Sequence, residues 1–185
     1  MHARIYALRT PAPSELSLER SRGIAIRWGC AVVESTCDLR DNGGQTIVHR
    51  CSDGGALLFF SEPTHPYVVS RISGEAPFVD DVSCRCSADV WTRDELLVML
   101  TRADPPVASL LVTVAMVTDV LDLETVEFFV RALEASDAST RKEAIVAISL
   151  VPALAFAPAL RVALGKERDP KLSAMIQNVL QMCEG

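Results

Sequence analysis

The groups able to do chemistry are few, and imidazole is scarce: the chain has only His2, His49 and His65. His49 and Cys51 are two residues apart. On a strand that spacing puts both on one face, where they could form a Cys-His pair or two ligands of a metal. A metal would need more donors, and the other thiols near enough in kind are Cys84 and Cys86, a lone C-x-C around Arg85. His49, Cys51, Cys84 and Cys86 are therefore the weak metal alternative. The expectation is that no metal is bound, because paired C-x-x-C knuckles are missing.

Other polar features read more simply. His65 lies in the turn Pro63-Thr64-His65-Pro66. Asp80-Asp81 would point to opposite faces of a strand, so a loop or sheet edge is expected there. Gly43-Gly44 and Gly54-Gly55 sit in turns and open no helix, so they make no phosphate cradle. Trp28 and Trp91 read as core anchors. No orienting third group accompanies any nucleophile and base, so no catalytic residue and no cofactor is expected.

The six cysteines, Cys30, Cys37, Cys51, Cys84, Cys86 and Cys183, form an even set. The amino-terminal stretch lacks the apolar run of a secretory signal, so reduced thiols in a cytoplasmic protein are expected. The longest apolar stretch, residues 105–121, is broken by Ser109, Thr113, Thr118 and Asp119 and reads as a buried helix, with no membrane span.

The elements that must position these residues fall into two halves. Up to residue 91 the chain has the punctuation of strands and turns. Ile24, Ile26, Trp28, Cys30 and Val32 alternate as on one strand face. Residues 46–52 and 56–61 form a hairpin around Asp53-Gly54-Gly55, and Leu57-Leu58-Phe59-Phe60 is apolar on both sides, as in a central strand covered on both faces. Further strands are expected at 4–10, 67–72 and 81–86. From Thr92 onward the period changes to 3.6, giving helices at 92–102, 105–118, 123–135, 138–150, 153–164 and 170–183.

Within that half Asp104, Asp137 and Asp169 recur at intervals of 33 and 32 residues, each before a helix carrying a similar apolar stripe. The stretches Leu133-Glu134-Ala135-Ser136-Asp137 through Ala144, and Leu164 through Leu172, resemble the turn of HEAT repeats, with Arg141 and Ala144 where that pattern has its arginine and alanine. The first and third repeats lack the arginine. The resemblance implies stacked helix pairs that act as a scaffold for protein contact. The expected class is thus α+β: a β-rich antiparallel sheet domain (residues 1–91) followed by an all-α, HEAT-like superhelix of three helix pairs (92–185).

Stacked pairs leave a long surface lined by their second helices. Arg141, Lys142, Lys171, Gln177 and Gln181 are the partner-binding candidates on it. The net charge of −6 repels nucleic acid and suits a basic protein partner. Fifteen arginines against three lysines hint at a GC-rich bacterial genome. The function expected is non-enzymatic protein binding, most concretely a cytoplasmic inhibitor such as a bacterial toxin-immunity protein. An adaptor in a larger complex, and an enzyme or small-ligand binder with its site in the first half, stay open.

Overall fold

The computed structural model describes residues 2–9, 16–41, 43–62, 67–102 and 108–185. His65, the turns at 11–13 and 63–66, and the Asp104 turn lie outside the described residues. The chain is α+β and divides into two compact units, residues 1–93 and 94–185.

The first unit is a six-stranded sheet with two helices. Its strands are β1 (His2–Leu8), β2 (Val32–Leu39), β3 (Gln45–Cys51), β4 (Ala56–Ser61), β5 (Val69–Gly74) and β6 (Val90–Trp91), in the order β2-β3-β4-β5-β1-β6. Every neighbouring pair is antiparallel. The hairpin between β3 and β4 turns where expected: Gly54 takes a φ of 81°, and Cys51 N–H donates to the Gly55 carbonyl at 2.9 Å. β4 is an inner strand, with Leu57 and Phe59 fully buried. Leu58 and Phe60 on its other face are only half-buried, short of the full cover expected.

Two segments read as strands are helices. Residues 24–27 close α1 (Leu18–Arg27), whose first amides are met by the Ser17 hydroxyl. The residues that go inward are Ser21, Ile24, Ala25 and Trp28, a spacing of three, four and seven, while Ile26 is 57% exposed. Gly29, at a φ of 91°, ends the helix: its N–H reaches Ile26 O and that of Cys30 reaches Ala25 O, both at 3.0 Å, as in a Schellman turn.

The second misread segment is 81–86, which belongs to α2 (Ala76–Cys86) and buries Phe78, Val79, Val82 and Cys86. Asp80 and Asp81 are therefore on that helix and not in a loop, paired with Arg4 at 2.7 Å and Arg85 at 2.9 Å. α2 comes so close to the sheet that a Cβ on Gly55 would lie 2.2 Å from the Phe78 ring.

The expectation of reduced thiols is also corrected: Cys30 and Cys51 are joined in a disulfide, with Cα atoms 5.3 Å apart. It ties the α1–β2 connection to the end of β3. Cys37, Cys84, Cys86 and Cys183 are free.

The second unit is helical: α3 (Arg93–Arg102), α4 (Ala108–Val117), α5 (Leu123–Leu133), α6 (Ala138–Leu150), a 3-10 turn (Leu154–Phe156), α7 (Ala157–Lys166) and α8 (Pro170–Glu184). Asp122, Asp137 and Asp169 cap α5, α6 and α8, accepting from the amides of Thr125, Thr140 and Lys171 at 2.9, 2.7 and 2.8 Å. α6 packs on α5 and also on α4 and α8, and α5 touches α7. α4, apolar nearly all round, buries Leu110, Leu111, Val112, Val114, Ala115 and Val117. Phe129 of α5 stacks on Phe156, ring centroids 6.1 Å apart. No described helix is long and apolar enough to cross a membrane.

Candidate functional site

In the sheet unit, His49 of β3 is fully buried beneath α1. Its Nε2 is 2.9 Å from the Ser21 hydroxyl and its Nδ1 is 2.8 Å from that of Ser35 on β2. Ser21 already donates to the Leu18 carbonyl at 3.0 Å, so it must accept from Nε2–H, which leaves Nδ1 to accept from Ser35. This assignment is that of the neutral ring, the form that burial favours. Burial, followed by the nearby Arg22 charge, pushes the imidazole below its ordinary 6.5. The arrangement fastens helix to sheet.

Cys51 shares that face of β3 but its sulfur is bonded to Cys30, so the Cys-His pair does not form. Cys84 is exposed and Cys86 buried on α2, where burial pushes the Cys86 thiol up to about 11. The four weak metal candidates are thus not brought together. Among the described residues, no three His, Cys, Asp or Glu side chains could hold a metal ion. His2 is exposed on β1. Trp28 is a core residue against Phe59, its Nε1–H donating to Asp89 at 2.9 Å, and Trp91 lies 3.7 Å below the Arg9 guanidinium.

In the helical unit the five partner-binding candidates separate into two kinds. Lys142 on α6 and Lys171, Gln177 and Gln181 on α8 are exposed. Gln177 and Gln181 share one face of α8, four residues apart. Arg141 is different. Its Nε and Nη2 donate to the Glu167 carboxylate at 2.8 and 3.2 Å, and its Nη1 donates to the carbonyls of Ala135 and Ser136 at 3.0 and 2.9 Å.

Glu167, with a side chain 5% exposed, also accepts from the amides of Arg168 and Asp169 at 2.9 and 3.0 Å. One guanidinium therefore joins the α5–α6 turn to the α7–α8 turn. The Arg141 hydrogen bonds, with the Asp169 amide next, hold the Glu167 carboxyl at about 2, below its ordinary range. Arg141 is structural first, and little of its fork is left for a partner.

This clamp lines part of a trough of about 520 Å³ between α5 and α7. Its floor is apolar, made by Val130, Leu133, Pro158, Ala159, Val162 and Ala163; Glu134, Lys166 and Arg168 stand on its rim. Val162 is 51% exposed. A smaller hollow of about 370 Å³ has Leu100, Leu111, Phe128 and Arg131 in its wall.

The trough lies between first helices, whereas the sequence pointed to the second ones. Val162 carried the available signal: with Pro158 and Lys166 it forms a stripe four residues apart that does not match the buried stripe of α7, Ala157 and Leu160. Glu167 gave no signal, because its partner is 26 residues away. No protein-family model, curated protein or solved structure matches the chain.

Proposed function

We propose that the chain is a non-enzymatic protein-binding protein whose second unit is a HEAT-like stack of three helix pairs. Its concrete form is an inhibitor that covers a basic partner, as a bacterial toxin-immunity protein does. The observation that carries this reading is the apolar trough between α5 and α7, with the Arg141–Glu167 clamp in its wall. A concavity with an apolar floor and a charged rim fits a protein side chain or helix ridge.

Charge supports the same reading. Residues 94–185 hold eight Lys and Arg against thirteen Asp and Glu, a net of −5, whereas residues 1–93 hold ten against eleven. The helical unit thus carries nearly all the net negative charge, −5 of −6, and complementary charge speeds encounter with a basic partner.

The test is paired capture from the source cell with the wild-type chain and with Val162→Asp, followed by mass spectrometry. The reading requires a basic protein retained by the wild type, released by moderate salt and lost with Val162→Asp. Identical captures from the two baits, or a partner that is not basic, would overturn it.

A further inference from the structure

A second surface lies in the sheet unit, independent of the trough. β2 is an edge strand of eight residues, and among the described residues the hydrogen-bond partners of 32–39 all lie on β3, the side-chain contact of Ser35 with His49 included. It contains neither proline nor lysine, the usual protections of an edge, and its one irregularity is a register shift between Val32 and Glu34. It also exposes two large aliphatic side chains, Val33 at 67% and Leu39 at 73%.

A helix stands beside this edge. Ser21 of α1 sits over His49 of β3, and Trp28 leans toward Phe59 of β4. α1 packs on β2 as well as on β3, and its flank away from Trp28 carries Leu18, Arg22 and Ile26 at intervals of four. Leu18 is 41% and Ile26 57% exposed. Ser35 reaches His49 on the α1 side of the sheet, so Leu39, four residues on, shares that side. The unpaired edge of β2 thus lies beside a helix that carries exposed apolar side chains. The Cys30–Cys51 bond anchors the connection between them.

The charges decide what fits. Arg22, which has no ion pair or hydrogen bond among the described residues, bars basic side chains from the α1 side. The other face of β2 carries Glu34, 3.2 Å from Arg50, and Asp38, which has no ion pair among the described residues. A second copy paired antiparallel about a two-fold centred on Thr36 is disfavoured, because it would set Glu34 against Asp38.

We propose that the edge of β2 beside α1 takes up an extended segment of a partner protein as a seventh strand, its apolar side chains toward α1 and its alternating basic side chains toward Glu34 and Asp38. Main-chain hydrogen bonds would hold the segment, and the alternation would select it.

The experiment uses the intact chain and a capped seven-residue peptide alternating valine and lysine. Two controls accompany it: a block isomer of the same composition, and the same pattern with glutamate for lysine. Fluorescence polarisation should show the alternating lysine peptide binding at least about tenfold tighter than either control. Asp38→Lys should reverse the preference between the lysine and glutamate peptides, and Ile26→Asp should weaken the lysine peptide by about tenfold. Hydrogen exchange should show protection gained in β2.

Equal binding of the alternating and block peptides, protection confined to other elements, or an Asp38→Lys chain with unchanged preference would each overturn the proposal. So would concentration-dependent dimerisation abolished by Leu39→Asp, which would assign the edge to a second copy. All three substituted side chains are exposed, and Asp38→Lys decides the matter if Ile26→Asp disturbs the fold.

Discussion

Arg141→Ala removes four hydrogen bonds at once: two to the Glu167 carboxylate and two to the carbonyls of Ala135 and Ser136. Each bond to a charged group contributes about 1.5–3 kcal/mol, and breaking a buried pair leaves the second charge in poor surroundings. Water can reach part of the gap, since the Arg141 side chain is 22% exposed, and Glu167 keeps the amides of Arg168 and Asp169. The expected loss is therefore about 3 kcal/mol, near the lower end of the range for buried pairs.

Urea unfolding followed at 222 nm measures it, in a double-mutant cycle with Glu167→Gln. The two changes should be non-additive by about 2 kcal/mol, and Arg141→Lys should recover less than half of the loss, because an ammonium cannot serve two turns through a planar fork. The carboxylate also sets a pH signature. Its folded value is lowered from 4.5 to about 2, so its stabilisation is present above pH 4.5 and disappears as pH falls through that interval. Glu167→Gln should remove that acid-side loss. Additive single variants, or the same acid profile in Glu167→Gln, would show that the clamp does not hold the two turns.

Three further outcomes follow from the sheet unit. Replacing both Cys30 and Cys51 by serine should lower stability by about 3 kcal/mol, the chain-entropy value for the loop their 21-residue separation closes; before reduction the unfolded wild type should show four reactive thiols, and six would refute the bond. His49 is held below 6.5, so its unfolded form takes a proton first, and stability should fall as pH drops from about 6.5. A His49→Gln chain with the same slope would place the effect elsewhere. Gly55→Ala forces a methyl to 2.2 Å from the Phe78 ring and should cost about 1–3 kcal/mol, partly recovered by Phe78→Leu; no loss of Tm would mean that α2 does not sit on that glycine.

What could be read in the residues depended on whether local signals agreed. α6 was placed at both ends, since Asp137 caps it, its apolar residues keep one period, and no strand pattern competes. α1 failed because the same residues satisfy two periods: Ile24, Ile26, Trp28 and Cys30 alternate, while Ser21, Ile24, Ala25 and Trp28 form a helical stripe. Only burial separates them, and Ile26 on the surface decides for the helix. α2 failed similarly, with Val82, Cys84 and Cys86 alternating across a helix that also buries Phe78 and Val79. Half of the clamp was visible: Arg141 stood at a repeat position, but nothing local marked Glu167, and a lone arginine on a helix reads as a free charge.

The two surfaces differ in the physics that would make them specific. The trough belongs to a unit of net charge −5, so the long-range field favours any basic partner and selection must come from the shape of the trough, with Arg141 and Glu167 in its wall. The β2 edge belongs to a unit of net charge −1, where the long-range field is weak and recognition rests on short-range contacts: main-chain bonds, Arg22 excluding cations from one face, and Asp38 inviting them to the other. Salt should therefore weaken capture by the trough mainly through a slower association rate. Binding at the edge should respond less to salt and chiefly to the order of residues in the segment. A single elongated partner could use both only if a basic surface and an alternating strand occurred in the same protein, a narrower description than either surface gives alone.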